Sequence, residues 1–513
     1  MTGFIRGADA LTGAVEEDCD VCIIGSGAGG GTLAAGLCAA GLSVVMLEAG
    51  GHFTRATFSP HEGEAYPALY QDRGTRATAD LAITILQGRS VGGSTTVNWT
   101  TCYRTPPRIL AHWAAQHGVA GLTEESLRPH FEAMEARLSI GTWPVERANA
   151  NNRTLLDGAA ALGWEASPTA RNVKGCANSG LCGLGCPVDG KQSMLVTTIP
   201  DAVAAGLRLY ADVEARRVVV EGGRVVRVEA EVLRRTDSVS TGVPVTVRPK
   251  VLVLSGGAIN TPALLLRSGI NPNGRVGQRT FLHPVIAVAG RYPQRIAGFY
   301  GAPQSVASHQ LIDRGPDRVG LFFEAGPVQP MLIATASPLF GDEMAAFMAE
   351  LPHISGLISL AVDGLVPGDD GGTVRVDSAG RPRLDYPIRP PLVEAFRAGH
   401  AALAEVHLAA GAAEVYTLHR EPRRLRSTAD LARLADAPYG AHEHAIFTAH
   451  QMGGCPMGED PARAVVRSDL RHHTVPNLFV VDGSVLPTAL GVNPSETIYA
   501  LAHRARATVA AAV

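Results

Sequence analysis

The sequence predicts an α/β protein built around a Rossmann-like nucleotide-binding unit near its N-terminus. Three observations carry that prediction. An apolar run opens directly into spaced glycines, a second apolar run ends in an acidic residue, and 513 residues exceed what one hydrophobic core accommodates.

Asp20-Val21-Cys22-Ile23-Ile24 reads as a buried strand leading into Gly25-Ser26-Gly27-Ala28-Gly29-Gly30. Gly25, Gly27 and Gly30 fit the G-x-G-x-x-G spacing: a tight turn, a close backbone approach to a pyrophosphate, and close packing of helix on strand. The helix is predicted over Thr32 to Ala40, ended by Gly41, with its N-terminal amides and dipole facing the phosphates. A second strand, Ser43 to Leu47, ends in Glu48, placed to bond a ribose hydroxyl. Further on, Leu207 to Val232 reads as alternating strands around a turn at Glu221-Gly222-Gly223-Arg224. Strand-like runs follow at Val319 to Glu324, Met331 to Ala336 and Ile354 to Leu365, then a helical pattern from Pro391 to Gly411 and an apolar strand at Leu478 to Val481.

Glycines at this spacing do not distinguish NAD from FAD. Four further segments resemble the glucose-methanol-choline (GMC) family of flavin oxidoreductases, and the resemblance runs nearly end to end. Gly88 to Asn98 is similar to the family's first signature, and Gly257 to Gly269 resembles its second, with Asn271 where glycine is usual. Asn and Gly both tolerate left-handed backbone, so the turn is expected to be kept. Asp482-Gly483-Ser484 resembles a flavin-contact strand end, and Ala449 to Gly458 with Gly491-Val492-Asn493-Pro494 resembles the catalytic segments. The resemblance implies a Rossmann-like FAD-binding domain with a second, mainly antiparallel-sheet substrate domain. It places Gly25, Gly27, Ala28, Gly30, Glu48 and Ala49 against the cofactor at the N-terminal end. Val91, Gly93, Asn98 and Val213 join them from the middle of the chain, and Asp482, Asn493 and Pro494 from the C-terminal part. The implied division is 15–105, 195–290 and 440–513 for FAD, 106–194 for a cap with a cysteine loop, and 291–439 for the substrate.

Alcohol oxidation needs a base for the hydroxyl proton and a hydride acceptor, both held close to one carbon. In the family a histidine takes the proton; here it is His450, and Asn493, 43 residues later, holds the oxygen without being able to act as base. Some members tether their flavin through a histidine before the signature asparagine; Val97 stands there, so dissociable FAD is expected. His442, His444, His472, His473 and His503 lack comparable motifs and read as structural or surface residues.

Cys176, Cys182 and Cys186 form a C-x5-C-x3-C-P pattern. The stretch through Lys191-Gln192-Ser193 resembles a segment of long-chain alcohol oxidases, which makes the thiols structural; the spacing also matches the ligands of a [3Fe-4S] cluster in a bacterial glucose dehydrogenase of the superfamily. The two readings differ in the electron acceptor: oxygen, or a quinone-type or protein carrier. Members that bind FAD without net redox chemistry, such as hydroxynitrile lyases, give a third alternative.

Net charge is −3 with both signs interspersed, and no lysine and arginine block is long enough to track a phosphate backbone, which argues against nucleic acid. No apolar stretch reaches the roughly 18 residues of a membrane span, and Met1 to Asp20 has no signal-peptide core, so a cytoplasmic location is expected. The sequence reading is thus an FAD enzyme oxidising a fairly apolar, primary alcohol.

Overall fold

A computed structural model describes residues 3–513. Two large sheets organise it. The first has the strand order Phe4–Arg6, Arg208–Tyr210, Val44–Leu47, Val15–Ile24, Ser240–Leu254, Arg224–Leu233, Val213–Glu221, with Leu478–Val480 pairing alongside the end of Ser240–Leu254. Val15–Ile24, Val44–Leu47 and the C-terminal half of Ser240–Leu254 run parallel, and Val21 to Ile23 and Val44 to Leu47 are almost wholly buried, as strands covered on both faces require. The last two strands form an antiparallel hairpin turning at Gly222 and Gly223.

The second sheet has nine strands and is mainly antiparallel, centred on Val285–Arg291, Ile354–Val362 and Gly320–Ala325. The helix Pro390–Ala409 packs across it through Leu392, Phe396 and Leu403. The two sheets are linked through a small antiparallel ladder in which Thr280–Leu282 pairs with Gln451–Gly453, Leu282 opposite Gln451. That register brings the next residues outward on each strand, His283 and His450, side by side.

Three local expectations change. The helix after the glycines runs Ala28–Ala39, so Gly27 itself is its N-cap and the phosphate-facing amides begin four residues earlier than the periodicity suggested. The apolar run Met331 to Ala336 is a helix, Pro330–Ala336, since proline at its first position presets helical φ and a short apolar run fits either period. After the helix Gly257–Arg267 it is Gly269 that is left-handed, at φ 72°, while Asn271 is not and instead accepts a bond from the Val276 amide at 3.1 Å. No helix among the described residues is long and apolar enough to cross a membrane.

Candidate active site

One cavity of about 1210 Å³ runs from the glycine turn to the His450 and Asn493 side chains. At one end Gly25 is left-handed, at φ 99°, and a Cβ there would stand 2.3 Å from the Ser255 carbonyl oxygen. Gly30 packs the helix onto the strand, since a Cβ would come within 2.0 Å of the Gly25 oxygen. Gly27 differs: a Cβ would meet only the Gly93 Cα, at 3.8 Å, so the space beside it belongs to the cavity. No side chain caps the helix Ala28–Ala39, which leaves its first amides for an anion.

Glu48 lines the same end, and its carboxylate is already engaged by the Ser26 and Gly50 amides at 3.0 and 2.8 Å and by the Ser26 hydroxyl at 2.6 Å. A carboxylate offers about four acceptor sites, so one remains for a hydroxyl. Burial raises its proton affinity, and the bonds from Ser26 and Gly50 oppose that. Val213 starts its strand by donating its amide to the Glu48 carbonyl at 2.8 Å. Asp482 accepts from the Gly257 and Ser484 amides, both at 2.8 Å, and so ties the second signature helix to the C-terminal loop.

Ala28, Ala49, Gly93, Asn98 and Pro494 also line the cavity. Gly30 and Val91 do not: Gly30 packs against Gly25, and Val91 is fully buried in the core, so each shapes the site from behind instead of facing a ligand.

At the other end His450 Nε2 lies 3.3 Å from Asn493 Nδ2, and His450 Nδ1 lies 3.0 Å from His283 Nδ1. Burial pushes the proton affinity of His450 down to about 4, so the imidazole is neutral near pH 7. Asn493 is 5% exposed, and its Oδ1 is buried without a hydrogen-bond partner. Glu324, fully buried with no cation beside it, accepts from Gln304 at 2.8 Å and is pushed up to about 8 by desolvation. His283, Gln304 and Glu324 were not read from the sequence as site residues. A glutamate inside the apolar run Leu321 to Ala325 was the available signal; for His283 there was none before its strand was paired.

Cys176, Cys182 and Cys186 are free thiols. Among the described residues no three of His, Cys, Asp or Glu are arranged to hold a metal, so these thiols do not fit a cluster and no electron path is assigned through one. Their loop instead walls the flavin signature. Lys191, buried, donates to the carbonyls of Thr96, Asn98 and Cys182 at 2.6–2.7 Å, and the Tyr70 hydroxyl donates to the Gly183 carbonyl at 2.7 Å.

The comparisons with known proteins agree with this architecture. Two models described as GMC oxidoreductase match residues 66–285 and 367–502. The chain belongs to the GMC oxidoreductase family. An uncharacterized GMC-type oxidoreductase of Mycobacterium tuberculosis is 33% identical over 489 residues, covering 94% of this chain and 74% of that protein. The long-chain-alcohol oxidase FAO4A of Arabidopsis thaliana is 29% identical over 517 residues, covering 95% and 68%. Pyridoxine 4-oxidase from Mesorbium loti superposes with a TM-score of 0.70 at 20% identity over 96% of this chain and 99% of that one, and formate oxidase with 0.71 at 14% over 97% and 99%; these two speak for the fold. GMC oxidoreductases bind FAD, and the uncapped helix, the Gly27 opening and the cavity fit that group.

Proposed function

We propose that this GMC oxidoreductase oxidises the CH-OH group of a fairly apolar primary alcohol to the carbonyl, with dissociable FAD in the cavity. The observation that carries the proposal is the meeting of His450 and Asn493 at 3.3 Å on the wall of the cavity that begins at the glycine turn. FAD, when bound, supplies the hydride acceptor. The chain's own residues do the rest. His450 and Asn493 hold the substrate oxygen, and His450, half-buried at the cavity wall and kept uncharged by desolvation, is the group that takes the hydroxyl proton.

Tyr70, Leu86, Val97, Trp99 and Ala449 line the cavity and belong to one apolar cluster, which suits an alkyl chain better than a sugar. The relatives named as long-chain-alcohol oxidases point the same way. In this reading the parallel sheet carries the cofactor and the antiparallel sheet covers the substrate, and oxygen or a quinone-type carrier reoxidises the flavin.

Val97, buried at the position from which a histidine would tether the flavin, offers no nucleophile. Acid precipitation is therefore expected to leave the yellow colour in the supernatant. Colour that stays with the pellet would show a covalent bond and contradict dissociable FAD.

A further inference from the structure

The helix Ser495–Ala510 begins two residues after Asn493, with Pro494 as its N-cap, and Pro494, Ser495 and Ile498 line the cavity. How its first turn is held therefore decides where the Asn493 amide stands. Thr497 meets Thr105, hydroxyl to hydroxyl, at 2.8 Å. Beside it Glu496, 2% exposed, hydrogen-bonds Glu135 of the helix Glu124–Leu138. Arg104 clasps the same Glu135 in a fork, Nε to Oε1 at 2.6 Å and Nη2 to Oε2 at 2.7 Å. Three segments thus converge on one point: the chain continuing from the flavin signature, the helix Glu124–Leu138 and the helix that follows Asn493.

Two carboxyl groups share one guanidinium here, and a hydrogen bond between them needs a proton on one of the two. Glu135 has none to give. Both its oxygens accept from Arg104, as a carboxylate does, and that fork holds its proton affinity below the usual range. Glu496 is the buried member, and burial together with the neighbouring Glu135 pushes its proton affinity up to about 8. A place in the first turn of a helix favours a charged carboxylate, but only weakly beside the cost of desolvation. The other titratable groups close by are the Cys102 thiol and the Tyr499 hydroxyl, and burial keeps both protonated.

We propose that Glu496 is a positioning residue: as a neutral acid it donates to Glu135 and so holds the first turn of Ser495–Ala510, and with it Asn493, against the helix Glu124–Leu138. The inference rests on the part given to Asn493 in the reaction above and adds the group that keeps it in place. Alkali removes the shared proton to solvent and leaves two carboxylates against one guanidinium, whose repulsion loosens the turn. Unfolded, Glu496 releases its proton near 4.5, so between there and about pH 8 the folded chain holds a proton that the unfolded chain has lost. Stability from this pair falls as pH rises across that window and is level above it.

The test compares FAD-loaded wild type with Glu496→Gln, whose amide keeps a donor and carries no charge. At neutral pH their infrared difference spectrum should contain the carbonyl band of a protonated carboxylic acid, lost with a midpoint of about pH 8. In Glu135→Gln the facing charge is gone, and the midpoint should move down toward the usual glutamate range. The wild-type thermal midpoint should fall relative to that of Glu496→Gln as pH rises to about 8 and run parallel to it above. Anaerobic flavin reduction should drop about tenfold between neutral pH and about pH 9.5 in the wild type, the effect of roughly one hydrogen bond. It should stay level in Glu496→Gln and be low throughout in Glu496→Ala. A wild type without that infrared band, an unmoved midpoint in Glu135→Gln, or an equal alkaline drop in Glu496→Gln overturns the proposal. The infrared and thermal measurements need no alcohol, so a flavin that no alcohol reduces would sink the proposed reaction while these two still decide the inference.

Discussion

His450→Ala is expected to keep FAD and to slow anaerobic flavin reduction by roughly 10²–10⁴-fold, the range for losing a positioned acid–base group. That corresponds to about 3–5 kcal/mol of transition-state stabilisation. His450 Nε2 lies 3.3 Å from Asn493 Nδ2 at the cavity wall, whereas the neighbouring His283 does not line the cavity and spends its Nε2 on the Gly491 amide. Asn493→Ala should cost less, since water can stand in for one hydrogen bond. Stopped-flow reduction of both variants under anaerobic conditions measures this. A wild-type rate in His450→Ala would put the proton-accepting group elsewhere.

Gly27→Val is expected to fold and to lose FAD entirely. The three motif glycines separate cleanly by what surrounds them. A Cβ at Gly25 or Gly30 would strike backbone oxygen at 2.3 or 2.0 Å, so those positions guard the fold. A Cβ at Gly27 meets nothing closer than 3.8 Å, and its branches would extend into the cavity that Gly27 lines, where a pyrophosphate would approach the backbone. Circular dichroism and the flavin content of the purified variant decide the matter. A well-folded variant with stoichiometric flavin would contradict the placement of the cofactor, whereas a variant that does not fold would mean that Gly27 serves packing.

What the sequence made legible was whatever is local. The strand, the glycine turn and Glu48 lie within one stretch of chain, so period and spacing were enough to read them. His450 and Asn493 stood in motifs, and the chain brings them together as the motifs implied they should meet. The helix Pro330–Ala336 reads as a strand in the sequence because seven residues are too few to separate a helical from a strand period. His283 was invisible for a different reason. Its role depends on Leu282 pairing with Gln451 across 169 residues, a register that no local pattern encodes. Glu324 was legible in principle, as an acid in a buried strand, but its neighbours Gln304 and Asn493 come from distant segments. The cysteine loop shows the opposite hazard: a spacing that matches cluster ligands closely, in a chain where Lys191 ties the same loop to the backbone of the flavin signature and no metal-holding set forms.

In the proposed reaction, FAD bound in this cavity receives a hydride from an alcohol beside His450. Purified, FAD-loaded protein should be mixed anaerobically with a panel of primary alcohols of increasing chain length while its absorbance is followed. The oxidised flavin spectrum should bleach with at least one apolar member of the panel, the carbonyl product should appear in equal amount, and His450→Ala should bleach far more slowly with the same alcohol. Flavin that stays fully oxidised with every alcohol, or that bleaches as fast without His450, would contradict it.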